Sequence, residues 1–229
     1  MSKFWLWSAG ALYGLAVLGL LAQRYGWFAF KWAFGLLVLA LLGLVIVAAC
    51  ALLGSFFSEA RRRYWVAGAL ALAPPLVLIG AIAPRLKAPL VHDVSTNLGA
   101  VDFVQAAALR GADTNEFDPA PVHSYPDLAP LSLPRTPVAE AYRLALEQCR
   151  LENWQITYEQ PPHHLEVIAR TPLLRFEDDV AIQIDARAAG GSLVQMRSAS
   201  RYGHGDLGAN ATRIEQFLGA LERAAAGPP

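Results

Sequence analysis

The sequence predicts an α+β domain, a four-stranded antiparallel meander covered on one face by two helices, preceded by three transmembrane α-helices. Three observations carry that prediction. Uncharged apolar runs fill most of the first 89 residues. Four stretches of alternating apolar and polar residues follow between Trp154 and Ser200, and a one-sided apolar stripe at helical spacing stands on either side of them. With 55% hydrophobic and 17% charged residues, the chain is too apolar for one ordinary soluble domain.

The formal net charge of zero hides an uneven distribution. Up to Pro89 there is one acid, Glu59, against eight bases, and the remainder holds 18 acids against 11 arginines, a net of −7. These figures predict a transmembrane region over 1–89 and an extramembrane domain over 90–229. A net-negative domain offers no electrostatic footprint for nucleic acid.

The spans are expected at about 4–22, 32–57 and 64–83, each long enough to cross a hydrocarbon core of roughly 30 Å. Trp5, Trp7, Trp27, Trp32, Tyr64 and Trp65 sit near their ends, where amphipathic rings prefer the headgroup level. Two further spans, and no A-x-A site at Ala22–Tyr25, favour an anchor over a cleaved signal peptide. The loop "SEARRRY" places three arginines in the shortest connection, so it is expected to stay cytoplasmic. Counting every flanking base gives a tie, and the dense arginine cluster decides it: N-terminus cytoplasmic, C-terminal domain periplasmic, in a bacterial inner membrane. Pro74-Pro75 interrupts the third span without an ionisable companion, which argues for an anchor over a transporter.

From Leu90 to Pro137 the chain reads as an extended, proline-punctuated segment with a helical turn near Phe103–Leu109. A helix follows, with Thr136 expected as N-cap, Pro137 as its first residue, and Val138, Ala141, Tyr142, Ala145, Leu146 and Cys149 as its stripe. Trp154, Ile156 and Tyr158 alternate, then Leu165, Val167 and Ala169, with "QPPHH" as the turn between them. Val180, Ile182, Ile184 and Ala186 form the third strand, and Gly190-Gly191 closes a hairpin into "SLVQMRSAS". The last helix is expected from about Asp206 to Ala225.

Gly203, Gly205 and Gly208 have the G-x-G-x-x-G spacing of a dinucleotide loop. That fingerprint needs a βαβ unit, whereas here the helix leads into "AAAGPP" rather than a second parallel strand. Asp206 also stands where a pyrophosphate would sit. The loop is therefore read as a capped helix start, with Asp206 accepting from first-turn amides and Asn210 on the apolar face, its partners expected in the glycine loop.

"RSASRYGHGDLGANATRIEQFL" resembles the signature of a bacterial and plastid family, domain of unknown function 1499. "VHDVSTN", "SYPDLAPL" and "TPLLRFEDDVAIQI" are similar to other stretches of it. The resemblance runs from about Leu90 to Leu221, departs at Gly205, where a bulkier residue is expected, and implies no activity, substrate or cofactor.

The candidate binding residues are Arg197, Ser198, Ser200, Arg201, Asp206, Asn210 and Arg213, with Asp93, Ser95, Asp178 and Asp179. Arginine forks onto carboxylate or phosphate, so Arg197, Arg201 and Arg213 suit either internal salt bridges or an anionic ligand. Asp178-Asp179 reads as a turn before the strand at Val180; within a strand the two would face opposite ways. Ser95 or Ser198, His92 or His204, and Asp93 or Asp206 compose a hydrolytic relay on paper, without a nucleophile-elbow motif to support it. His163-His164 falls in a turn, no histidine spacing suits a metal, and Cys50 and Cys149 are expected only to pack. No metal and no cofactor is expected, and no catalytic residue is assigned. The leading expectation is a non-catalytic envelope module that binds a partner protein or a small anion while sitting on the bilayer; the alternative is a hydrolase-like enzyme near the Arg201–Arg213 loop.

Overall fold

The apolar runs form three long helices in the computed structural model, which describes residues 2–99, 101–118, 124–172 and 174–227. Helices α1 (Ser2–Tyr25), α2 (Phe30–Ser55) and α3 (Arg61–Ile82) are each long and apolar enough to cross a membrane. Their ends lie within a few residues of the sequence limits. Small side chains at the contacts let the backbones approach: Ala9, Ala48 and Ala71 pack with Leu44 and Val47. The Tyr13 hydroxyl donates to the Leu70 carbonyl at 2.6 Å. Pro74 and Pro75 lie inside α3, which continues through them.

A second compact unit holds residues 87–171 and 176–227. It contains β1 (Asp93–Ser95), α4 (Ala106–Leu109), β2 (Leu131–Leu133), α5 (Val138–Leu151), β3 (Gln155–Gln160), β4 (His164–Arg170), β5 (Glu177–Ala186), β6 (Ser192–Ser200) and α6 (Ala209–Ala226). The sheet is antiparallel and has six strands rather than four, in the order β1-β6-β5-β4-β3, with β2 also pairing β6. The two added strands occupy one side of β6: β2 pairs Val194 to Ser192, and β1 pairs Ala199 to Arg197. Each is three residues long, too short for a period, so their segment reads as irregular in sequence. Pro119 and Pro121 of that segment lie outside the described residues.

One core joins helices to strands. Ala141, Tyr142, Ala145 and Cys149 of α5 and Ile214, Phe217, Leu218 and Leu221 of α6 cluster with Val167, Val180, Ile182, Ile184, Val194 and Met196. Trp154 stacks on Phe217 with ring centroids 5.2 Å apart.

Four local expectations are corrected. The N-cap of α5 is Pro137, not Thr136, because the Pro137 carbonyl takes the first helical amides, from Glu140 and Ala141. Helix α6 starts at Ala209, not Asp206, since Leu207 (φ 55°) and Gly208 (φ 77°) are left-handed and cannot begin a right-handed turn. Asp178 and Asp179 stand inside β5 rather than in a turn, and both are buried. His164 opens β4 and is buried, so only His163 remains in the turn.

Candidate functional site

Strand alternation divides the candidate residues between the two faces of the sheet. Val180, Ile182, Val194 and Met196 face the core, so Asp178, Ser198 and Ser200 share their side. Asp179, Arg197 and Arg201 point to the other side, and register sets Asp93 and Ser95 of β1 opposite Ala199 and Arg197 there. All the candidates but Ser95 therefore make two clusters, back to back.

On the core side Asn210, with no exposed surface, is the hub. Its Oδ1 accepts from Ser198 Oγ and from Arg213 Nη1, both at 2.6 Å. Its Nδ2 donates to Ser200 Oγ and to the His92 carbonyl, both at 3.0 Å. These partners belong to β6, the segment entering β1 and α6 itself, not to the glycine loop, because the first turn of α6 packs against β6. Arg213 Nη2 donates to Asp178 Oδ2 at 2.5 Å. Asp206 accepts from the amides of Gly208 (2.8 Å) and Asn210 (2.6 Å). Burial pushes the Asp206 carboxyl above its ordinary pKa; those two amides pull it back only in part.

On the other side, Arg197 forks onto Asp93 at 2.9 and 2.7 Å. Arg201 bonds Asp179 through Nη2 (2.7 Å) and Nε and reaches Glu177 through Nη1 at 2.8 Å. Arg110 reaches the same Asp179 from outside the sheet at 2.8 Å. Burial opposes the Arg201 charge, but Asp179 and Glu177 outweigh it and hold its pKa above the usual value. For Arg110 burial prevails and its pKa is lowered. Ser95 joins neither cluster: its hydroxyl donates to the Asn97 carbonyl at 2.8 Å.

Residues 101–117 cover this second side. Phe103 and Phe117 stack 4.3 Å apart, with the Arg110 guanidinium 3.8 Å from the Phe117 centroid and that of Arg197 5.0 Å from Phe103. Asn115 donates its amide to the Arg201 carbonyl (2.8 Å) and its Nδ2 to the Gly203 carbonyl (2.7 Å), which ties down the glycine loop. Glu166, fully buried on β4, accepts from the amides of Val104, Gln105 and Ala106. Burial opposes its charge, and His164 with those amides outweighs burial and lowers its pKa.

Sequence reasoning missed Arg110, Asn115, His164, Glu166 and Glu177. The signal for two of them was present: His164 and Glu166 flank Leu165 in the alternation of β4, but alternation assigns such positions to solvent. The paper relay is not assembled. Ser198 Oγ bonds Asn210, Ser95 Oγ bonds Asn97, and His92 Nε2 lies 3.2 Å from the Glu116 carbonyl. Among the described residues no group of three or more His, Cys, Asp or Glu is placed to hold a metal ion.

Beside the start of α6, the Tyr125 hydroxyl is buried without a hydrogen-bond partner among the described residues. A Cβ on Gly208 would sit 3.8 Å from it. Burial, then the nearby Asp206 and Glu215 charges, raises the Tyr125 pKa.

A search among curated proteins finds no match. Among solved structures, the chain is similar to CalU16 from Micromonospora echinospora at 15% identity, covering 40% of this chain and 75% of that one with a TM-score of 0.27. A likeness at that score carries no argument about fold or function. The profile of a family described as protein of unknown function, DUF1499, matches residues 95–221. That match spans more than half of the chain and nearly all of the sheet and helices that build both clusters, and the chain belongs to this family.

Proposed function

We propose that the chain is a non-catalytic binding module of the bacterial envelope, anchored in the inner membrane with its domain on the periplasmic side. Binding is assigned to the corner formed by residues 202–208 and the first turn of α6. The observation that carries this reading is the Tyr125 hydroxyl, a buried polar group beside Gly208 and Asp206 with no partner among the described residues. A buried hydroxyl left unpaired costs about 1–3 kcal/mol, which a hydrogen-bonding group of a partner would recover. The non-catalytic part rests on the state of the reactive side chains. Arg197, Arg201 and Arg213 are each held by an internal carboxylate, and the hydroxyls of Ser95 and Ser198 are engaged locally.

Site-specific photo-crosslinking in cells tests the assignment. The crosslinker replaces His204, which is exposed in the loop, or Gln216, which is exposed on α6 away from it. A discrete adduct from position 204 only, weakened by Tyr125→Phe, is the expected result. Tyr125→Phe removes no hydrogen bond among the described residues, so the fold is expected to stay intact. Identical adduct patterns from both positions, or no effect of Tyr125→Phe, rule the corner out.

A further inference from the structure

Behind β4 and β5 runs a chain of hydrogen bonds whose directions are dictated by its ends. Asp185 accepts from Gln183 Nε2 at 3.0 Å and from Gln195 Nε2 at 2.9 Å. Gln183 therefore turns its amide oxygen to His164, whose Nδ1 lies 3.0 Å away. Gln195 in turn accepts through Oε1 from Asn97 Nδ2 at 2.9 Å. At the other end, Glu166 collects three backbone N–H bonds and lies 3.2 Å from His164 Nε2.

A carboxylate only accepts, and an amide oxygen only accepts. Both ring nitrogens of His164 therefore have to donate, and an imidazole with two N–H groups is an imidazolium. It completes one connected path from Asn97, through Gln195, Asp185, Gln183 and His164, to Glu166 and the amides of Val104–Ala106. We propose that protonated His164 is a pH-operated latch that fastens Asn97 and Val104–Ala106 to the sheet and releases them when the ring loses its proton. A neutral ring keeps one N–H. It then sets a lone pair against either the Glu166 carboxylate or the Gln183 oxygen, a repulsion that a buried site does not screen.

The other groups around the ring do not replace that proton. Tyr158 of β3 meets it edge-on with centroids 6.0 Å apart. Asp102 of the covering segment adds a favourable negative charge, and His163 turns away to the Ile184 carbonyl. Burial opposes the His164 charge, but the bonds to Glu166 and Gln183 and the Glu166 charge outweigh it, so its pKa is raised above the ordinary value of about 6.5. Because the folded pKa is the higher one, the latch contributes fully below about pH 6.5 and is lost as pH rises through the folded value.

Hydrogen exchange of the full chain in detergent, corrected for intrinsic rates, reads the latch directly. Protection of residues 101–109 is expected to fall roughly tenfold between about pH 6 and pH 9, while residues 180–184 of β5 keep theirs. His164→Gln is expected to flatten that pH response. Protection of residues 101–109 that does not change with pH in the wild-type chain overturns the proposal, as does a fall that persists unchanged in His164→Gln. A second readout needs no variant: the His164 ring, followed by NMR in histidine-labelled protein, is expected to titrate at the midpoint of the loss of protection. Midpoints that differ by more than about one unit also overturn it.

Discussion

Arg197 grips Asp93 through two parallel hydrogen bonds, 2.9 Å from Nε and 2.7 Å from Nη2, and Asp93 has no exposed surface. The pair joins β6 to β1 through two residues 104 positions apart in the chain, on the side of the sheet away from the apolar core. A buried charge deprived of its partner is expensive, whereas replacing both partners by apolar residues often is not.

Asp93→Ala is therefore expected to destabilise the domain by about 3–5 kcal/mol. The double variant Asp93→Leu/Arg197→Met is expected to recover most of that loss. Denaturant unfolding of the full chain in detergent measures both. A double variant no more stable than Asp93→Ala means that the pair does more than neutralise itself.

Asp206 separates its capping role from its charge. Asp206→Ala removes the acceptor for the Gly208 and Asn210 amides and is expected to cost about 1 kcal/mol. Asp206→Asn keeps one of the two accepting oxygens, turns an NH2 group toward the other amide, and removes a buried charge. Since the folded pKa is raised, the Asp206 contribution is greatest below about pH 3.8 and is lost as pH rises through the folded value. Asp206→Asn is therefore expected to lie between the wild type and Asp206→Ala at neutral pH in the same unfolding measurement. An asparagine variant as damaged as the alanine one overturns this account.

Gly190 and Gly191 share a turn and a left-handed backbone, but not a neighbourhood. Alanine at 191 would press its Cβ onto the Leu133 carbonyl and to 2.5 Å from the Pro134 carbonyl carbon, backbone atoms of the β2 region that cannot swing aside. Around 190 nothing lies within 4 Å. Gly190→Ala is expected to cost about 1 kcal/mol for backbone strain alone, and Gly191→Ala roughly 2–3 kcal/mol more. Comparable thermal midpoints for the two variants count against β2 lying beside β6.

Cys149 offers a reporter of domain opening. Burial pushes its thiol up to about 12, and it sits in the core of α5. With Cys50 replaced by Ser, maleimide labelling of the native chain is expected to run at least about a thousandfold slower than for a free cysteine. Denaturant that unfolds the domain is expected to restore the fast rate. Rapid labelling of the native chain contradicts the packing of α5 on the sheet.

The candidate clusters were partly legible. Arg197, Arg201 and Arg213 stand out because arginines follow an apolar strand and enter a helix, whereas Asp178 and Asp179 read as a turn and only their place inside β5 sets them on opposite faces. Their partners did not stand out. Arg110, Glu166 and the amides of 104–106 come from segments roughly sixty residues or more apart, and no local pattern links them. His164 and Glu166 occupy the polar positions of an alternating strand, which the period assigns to water.

By itself the sequence determined the three helices long and apolar enough to cross a membrane, the α+β class, the hairpins β3–β4 and β5–β6, and the stripes of α5 and α6. Each of these follows from a run or a period carried by neighbouring residues. Only the tertiary structure decided that β1 and β2 complete the sheet beside β6, and that residues 101–117 close over its second side. It also turned Arg197, Arg201, Glu166 and His164 into buried, mutually neutralised groups. The physical reason is range: three-residue strands and a covering segment have no period of their own, and a charge is buried or exposed according to what distant chain comes to lie over it.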